Sequence, residues 1–237
     1  MPPDRRHDTA TFALAACALI CPSGPARCQT SADLTLVSEY AGRGIALDTR
    51  PALQLRVEHE TAAGWYAGAF ASPVRLEGRA QGQLIAYGGR AQRLTSTLSW
   101  DAGVTRSTFL RDGRWNYHEF YAGLATQRGS ARLFYSPAYY GEGRSLYLDL
   151  SGAYPLNDRL RLAAHVGVLH PMGGYGGAAA GDAGNVGSVG NSADARIALV
   201  ADVGDCTVQA GVQTRWRGYL AEFPRASAFT ASLSLHF

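Results

Sequence analysis

The sequence predicts an all-β protein: a transmembrane, antiparallel up-and-down β-barrel of about 12 strands, with short periplasmic turns and long extracellular loops. Three observations point to it. Apolar and polar residues alternate with a period of two in segment after segment beyond residue 32. The connections between those segments are alternately short and long. The chain also ends in strict alternation, "FTASLSLHF", with Phe229, Ala231, Leu233, Leu235 and Phe237 set against Thr230, Ser232, Ser234 and His236, although termini usually fray.

The first 32 residues differ from the rest. Arg5 and Arg6 precede an apolar run from Thr9 to Cys21, followed by a Pro/Gly break and the small residues Thr30 and Ala32. This reads as a cleavable secretory signal peptide over 1–32, with one barrel domain at 33–237; the apolar run is too short to span a bilayer as a helix. Two sharper readings fit less well. "LAAC" at Cys17 resembles a lipoprotein box, but cleavage there leaves a very short apolar stretch. Arg5-Arg6 resembles a twin-arginine signal, yet "RRHDT" lacks the hydrophobic residues that should follow.

Removing the signal takes Cys17, Cys21 and Cys28 with it and leaves Cys206, so the exported chain has no internal disulfide to form. It also leaves 19 Arg (after Arg5, Arg6 and Arg27) and 17 acids (after Asp4 and Asp8), a net charge of +2 that gives nucleic-acid binding no support. There is no Lys; all 22 basic residues are Arg.

The expected strands are 34–41, 52–60, 64–71, 83–89, 94–104, 117–125, 130–136, 145–154, 159–169, 193–202, 205–213 and 226–237, each near the ~10 residues of a tilted membrane strand. In "ALQLRVEHE", Leu53, Leu55 and Val57 share one face and Gln54, Arg56 and Glu58 the other; "SLYLDLSGAY" sets Leu146, Leu148 and Leu150 against Tyr147, Asp149 and Ser151. Short links follow the even strands ("TAA", "RAQR", "TQRG", "PLND", "VG"). Long ones follow the odd strands, as in "GRGIALDTRP" and "SPVRLEGRAQGQ". That asymmetry requires an even strand count and both termini on the periplasmic side. Alternation does not show which way the apolar side points, so a soluble lipocalin-like barrel is the alternative. Against it stand twelve strands where lipocalins have about eight, and charges of both signs at mid-strand.

The stretch "ADLTLVSEYAGRGIALDTRPALQLRVEHETAAGWYAGAFAS", followed by "WNYHEFYAGL", "ARLFYSPAYYG", "SLYLDLSGAYPL", "LAAHVGV" and the terminal Phe237, resembles the TorF-like family of outer-membrane porins. The resemblance covers most of 33–169 and implies an outer-membrane barrel with channel activity, on a Gram-negative cell; it does not fix the solute.

The expected function is a channel for passive diffusion of small charged or polar solutes. The side chains expected to line it are Glu39, Arg56, Glu58, Asp101, Glu119, Arg132, Asp149, Arg161, Asp194 and Arg196, a mixed-charge lumen. One alternative is a structural or adhesive barrel whose charges pair across strands and plug it. The expected outer loops hold eleven Arg (43, 50, 75, 79, 106, 111, 114, 144, 215, 217 and 225) against six acids. Arg111, Arg114, Arg215 and Arg217 are candidate contacts for the phosphates of lipopolysaccharide, since guanidinium meets phosphate bidentately. Leu233, Leu235 and Phe237 read as the signal for the barrel assembly machinery.

An outer-membrane hydrolase is the least favoured class. His118 beside Glu119, or His165 with Asp149 and Ser151, are the only groupings to consider, and no nucleophile-elbow pattern accompanies them. The histidines lack metal-ligand spacing, no cofactor is expected, and the Gly-rich stretch 173–190 lacks a phosphate-loop ending. The expected partners are outer-membrane lipid and lipopolysaccharide, the assembly machinery and small solutes.

Overall fold

The computed structural model describes residues 28–172, 191–216 and 229–237. The expected signal segment up to residue 27, the Gly-rich stretch 173–190, and Arg217 with Arg225 lie outside them.

Twelve antiparallel strands form a closed barrel. They are β1 (Gln29–Val37), β4 (Ala52–Glu60), β5 (Trp65–Leu76), β6 (Arg79–Arg93), β7 (Leu98–Phe109), β8 (Tyr117–Thr126), β9 (Gly129–Tyr139), β10 (Gly143–Pro155), β11 (Leu160–Pro171), β12 (Ser192–Val203), β13 (Cys206–Trp216) and β14 (Phe229–His236). Each pairs with its sequence neighbour, and β14 pairs with β1 to close the ring. A separate hairpin, β2 (Tyr40–Gly42) and β3 (Ile45–Asp48), lies between β1 and β4 in the chain.

Alternation builds these strands, and the barrel turns the apolar side outward. In β4, Leu53, Leu55 and Val57 are 54%, 46% and 40% exposed, whereas Gln54 and Glu58 are 4% and 8% exposed. The same holds around the ring: Leu36, Leu84, Val104, Phe120, Leu133, Leu148, Val166, Ile197, Val212 and Leu233 are all exposed. Thr35, Ser72, Gln83, Ser107, Glu119, Ser136, Asp149, Asp194, Gln209 and Ser234 are buried inside. This inverts a soluble barrel and removes the lipocalin-like alternative, because water would have to wet a continuous apolar wall.

One end carries the start of β1, the end of β14 and short turns: Thr61–Gly64, Leu94–Thr97, Gln127–Arg128, Leu156–Arg159 and Gly204–Asp205. At the other end, two connections expected to be long are tight. The stretch 72–83 is not a loop, because β5 and β6 run on to a two-residue turn at Glu77-Gly78. Tyr140-Gly141 turns β9 into β10, and Arg43-Gly44 turns the inner hairpin. All six residues have positive φ (50 and 74°, 51 and 78°, 52 and 71°), the backbone of a type I′ turn that Gly at the second position makes accessible. The Arg, Glu or Tyr that comes first adopts the left-handed region at some cost. Between β7 and β8 a short 3-10 turn, Gly113–Trp115, starts where the Asp112 carboxylate accepts from the Arg114 N–H at 3.2 Å.

Most expected strand bounds move by a few residues, the first among them. The first strand, placed at 34–41, runs from Gln29 to Val37, so the barrel begins four residues before the expected start at 33. The pairing explains why: Ala32 and Phe237 exchange backbone bonds of 3.2 and 2.9 Å, and Gln29 stands opposite Glu60.

Candidate functional site: a partitioned lumen

The β2–β3 hairpin folds into the barrel and crosses it. Residues 42–48 of the expected outer loop at 42–51 therefore lie inside, a correction to the sequence reading, and Arg43 with them, while 49–51 are exposed. All four residues of β3 are buried, which no barrel strand shows, because the hairpin has wall on every side. Tyr40 anchors one flank, its hydroxyl donating to Gln83 Oε1 at 3.0 Å and its ring 5.7 Å from Phe70. At the base, Asp48 accepts from the Arg50 amide at 3.1 Å and pairs with its guanidinium.

At the tip, Arg43 reaches the far wall. One terminal nitrogen donates to Glu119 Oε2, on β8, at 3.0 Å, and the other lies 2.8 Å from Oε1, so the two side chains form a buried ion pair. The guanidinium also lies over the rings of Tyr147, Tyr139 and Phe134 at 4.1, 5.1 and 5.2 Å. Burial by itself would lower the Arg43 pKa, but Glu119 and the surrounding tyrosine oxygens outweigh it and hold the group well above its ordinary value. Gly44 seats the tip against β12 and β13: a Cβ there would fall 2.9 Å from the Cβ atoms of both Asp194 and Arg215. On the β7–β10 side an aromatic cluster fills the lumen, with Tyr139 at 5.1 Å from Tyr117 and 4.8 Å from Tyr140.

Nearer the turn end, Tyr66 and Tyr121 share a 2.6 Å hydroxyl contact, Tyr66 donates to Asp101, and Arg132 pairs with Asp101. Tyr87 donates to Glu58 at 2.7 Å. Open space remains on the β1 and β10–β14 side, in two clefts that share Ala41, Arg196 and Gln213. The first is lined by Asp33, Glu39, Gln54, Arg56, Phe70 and Gln209 among others; the second by Arg43, Gly44, Tyr147, Asp149, His165 and Asp194.

All ten sequence-selected charges carry their side chains on the inward side, buried or half-buried. They do not stand apart as isolated charges. Glu119 holds Arg43, Asp101 holds Arg132, Arg161 pairs with Asp202, and Glu39 accepts from Gln213 at 2.9 Å. The sequence reading missed Arg43, Tyr147, Gln213 and Arg215. A usable signal was present: Tyr40, Ile45 and Leu47 flank the Arg-Gly pair, and apolar residues around a turn dipeptide indicate a packed hairpin rather than an open loop.

Of the outer-loop arginines, Arg215 corrects the sequence reading. It is buried, faces inward on β13 and stands opposite Asp194, because the period of two set by Gln209 and Gln213 carries it to the lumen. Arg111 is exposed and donates to the Ala80 carbonyl; Arg114 is paired with Asp112 at 2.8 Å and with Glu77. Leu233, Leu235 and Phe237 point outward at the β1–β14 seam.

His118 and Glu119 are neighbours in sequence but project to opposite faces, so they form no acid–base pair. Ser151, His165, Asp149 and Asp194 do come together. His165 Nε2 lies 2.9 Å from Asp194 and its Nδ1 3.6 Å from Asp149, while Ser151 Oγ donates to Asp149 at 2.8 Å and stands 3.3 Å from Nδ1. The serine proton is thus committed to a carboxylate, and the neighbouring amides pair in the sheet between Ser151 and His165, where they supply no oxyanion hole. Among the described residues no group of three or more His, Cys, Asp or Glu is placed to hold a metal ion.

Tyr147 ties this cluster to the hairpin, its hydroxyl donating to Asp194 at 3.3 Å beneath the Arg43 guanidinium. The ring fits only because Gly167, on β11, has no side chain, since a Cβ there would collide with the phenol. Gly167→Ala is expected to displace Tyr147 and lower stability by about 1–3 kcal/mol, read from urea unfolding in detergent. Unchanged stability would show that the ring can shift freely.

Solved structures resemble this barrel. A "KdgM porin" aligns with a TM-score of 0.57 at 11% identity, over 87% of this chain and 99% of that one. A "NanC porin" aligns at 0.55 and 14% identity, over 87% and 98%. A "KdgM porin in complex with disordered oligogalacturonate" aligns at 0.54 and 10% identity, over 87% and 99%. At such identities the likeness is one of fold. No curated protein matches the sequence. Residues 22–211 match a family described as "Bacterial protein of unknown function (Gcw_chp)". This supports a bacterial family with a porin-like barrel and does not carry the TorF-like name. With residues 22–211 of its 237 matched, the chain belongs to the Gcw_chp family of bacterial proteins.

Proposed function

We propose that the protein is an outer-membrane channel, narrow and charge-lined, exported by its N-terminal signal and passing small charged or polar solutes by diffusion. The observation that carries this reading is the inverted polarity of a closed barrel: apolar side chains face out on every side, and charges of both signs face in. Only closure satisfies strand backbones in lipid, and a wall of exposed Leu, Val and Phe needs lipid around it. Trp65, Tyr154 and Phe237 at the turn end, and Trp216 and Phe229 at the other, fit the two aromatic girdles of such barrels. The likeness to porins supports the same reading, and the class of neighbour is that of channels rather than enzymes.

The route runs through the two clefts beside the hairpin, both of mixed charge: Asp33, Glu39, Arg56 and Arg196 line the first, and Arg43, Asp149, Asp194 and Arg196 the second. An acidic sugar is the first solute to test, since a KdgM porin was solved with oligogalacturonate; Arg56 and Arg196 line the first cleft here, together with Asp33 and Glu39. The purified, folded protein in planar bilayers is expected to give small, discrete conductance steps. A folded protein that never conducts would instead support the second reading, a plugged structural barrel, which the inward hairpin and the Tyr66–Tyr121–Asp101 web favour.

A further inference from the structure

The charges of the barrel wall are segregated by sign. Every Asp and Glu within a described barrel strand occupies an inward position, Asp101, Glu119, Asp149 and Asp194 among them. Outward charges on the same strands come only from Arg and His, as at Arg75, Arg106 and Arg144. A net charge of a few units does not produce such sorting, and a neutral lipid wall gives no reason for it.

Arg106 is the informative member. It lies on β7 between the outward positions of exposed Val104 and Thr108, across the strand from His118 and close to exposed Phe120. Six residues separate it from Trp100 near the turn end. At ~3.3 Å per residue and a tilt near 40°, that is about 15 Å of height in an apolar band of roughly 25 Å. Its Cα therefore sits within the loop-side half of the band, and its long stem carries the guanidinium toward the headgroups. A cation on a lipid-facing wall is costly unless an anion meets it, and no ion pair to Arg106 occurs among the described residues. Arg75 and Arg144 stand higher, at the rim. The loop arginine Arg114 is held by Asp112 and Glu77, and Arg215 points into the lumen, so neither presents a free charge to lipid.

We propose that Arg106, with His118 beside it, is a lipid-facing seat for the phosphates of the outer-leaflet glycolipid, lipopolysaccharide. Guanidinium suits that role, being always charged and able to hold two phosphate oxygens at once. The seat rests on the membrane reading and is independent of conduction.

The test is native mass spectrometry of the full-length protein in detergent with added lipid A, its dephosphorylated form or phosphatidylglycerol. The wild type should retain lipid A and release the other two, and Arg106→Leu should lower retention about fivefold. Leucine suits a lipid-facing position, and a heat-dependent gel shift confirms folding; Arg106→Lys should recover part of the binding, and Arg106→Gln serves if the leucine variant misfolds. Full retention by folded variants, equal retention of dephosphorylated lipid A, or equal competition by phosphatidylglycerol would each overturn the seat. Conductance of the same variant, measured separately, should equal that of the wild type.

Discussion

Arg43→Ala is expected to widen the channel. The hairpin is held across the lumen by a buried ion pair with N···O distances of 2.8 and 3.0 Å, beneath which Tyr147 stacks at 4.1 Å. Removing the guanidinium leaves Glu119 buried without its counter-ion, a change that typically costs about 3–5 kcal/mol. Applied to the docked hairpin alone, that shifts the balance between docked and released tips by roughly 10²- to 10⁴-fold. Single-channel recordings should then show larger or flickering steps than the wild type. Glu119→Gln should act in the same direction, and Arg43→Gln with Glu119→Gln should lose less than the two single changes together, since neither partner is left charged and alone. Wild-type steps from all three proteins would mean that the hairpin is held by its apolar flanks, Tyr40, Ile45 and Leu47, and not by the pair.

Deleting Phe237 is expected to abolish most assembly in the cell. The residue closes the seam through backbone bonds to Ala32 at 2.9 and 3.2 Å, next to His236, which contacts Asp33 at 2.6 Å and Thr207 at 2.9 Å. Its ring, 77% exposed, faces outward where lipid or an assembly partner would meet it. Lost burial accounts for ~1.5–3 kcal/mol at most. If the terminal aromatic is read by the assembly machinery, the yield of folded protein in cells should fall far more than refolding in detergent micelles does. Equal losses in both settings would reduce Phe237 to a seam residue. Changing Leu233 and Leu235 to Ser should add to the cellular defect, because both lie on the same outward face.

The barrel itself was legible because each strand repeats one simple physical statement. Leu53, Leu55 and Val57 against Gln54, Arg56 and Glu58 leave a single way to sort them between two phases, and the register needs only neighbouring hairpins. Strand ends were less legible. The stretch "SPVRLEGRAQGQ" contains polar residues and Gly, which suggest a loop, yet β5 and β6 continue past the apolar band and meet at Glu77-Gly78. Beyond the lipid zone, alternation no longer has to be apolar, so the pattern fades before the sheet does. In the same way, the small residues that suggested a cleavage site at Ala32 are compatible with a strand, and β1 uses them.

The sequence by itself determined a closed twelve-stranded barrel, the face each strand residue occupies, and the seam at Phe237, because these follow from a period of two and from backbone groups that must pair with neighbours. Only the tertiary structure decided what fills the barrel. Whether Arg43 ends in solvent or against Glu119, whether Tyr147 lies beneath that guanidinium, and whether Ser151 and His165 gather around Asp149 and Asp194 depend on contacts between elements distant in sequence. Alternation assigns a side chain to the lumen, but it carries no information about which opposite wall that side chain will reach.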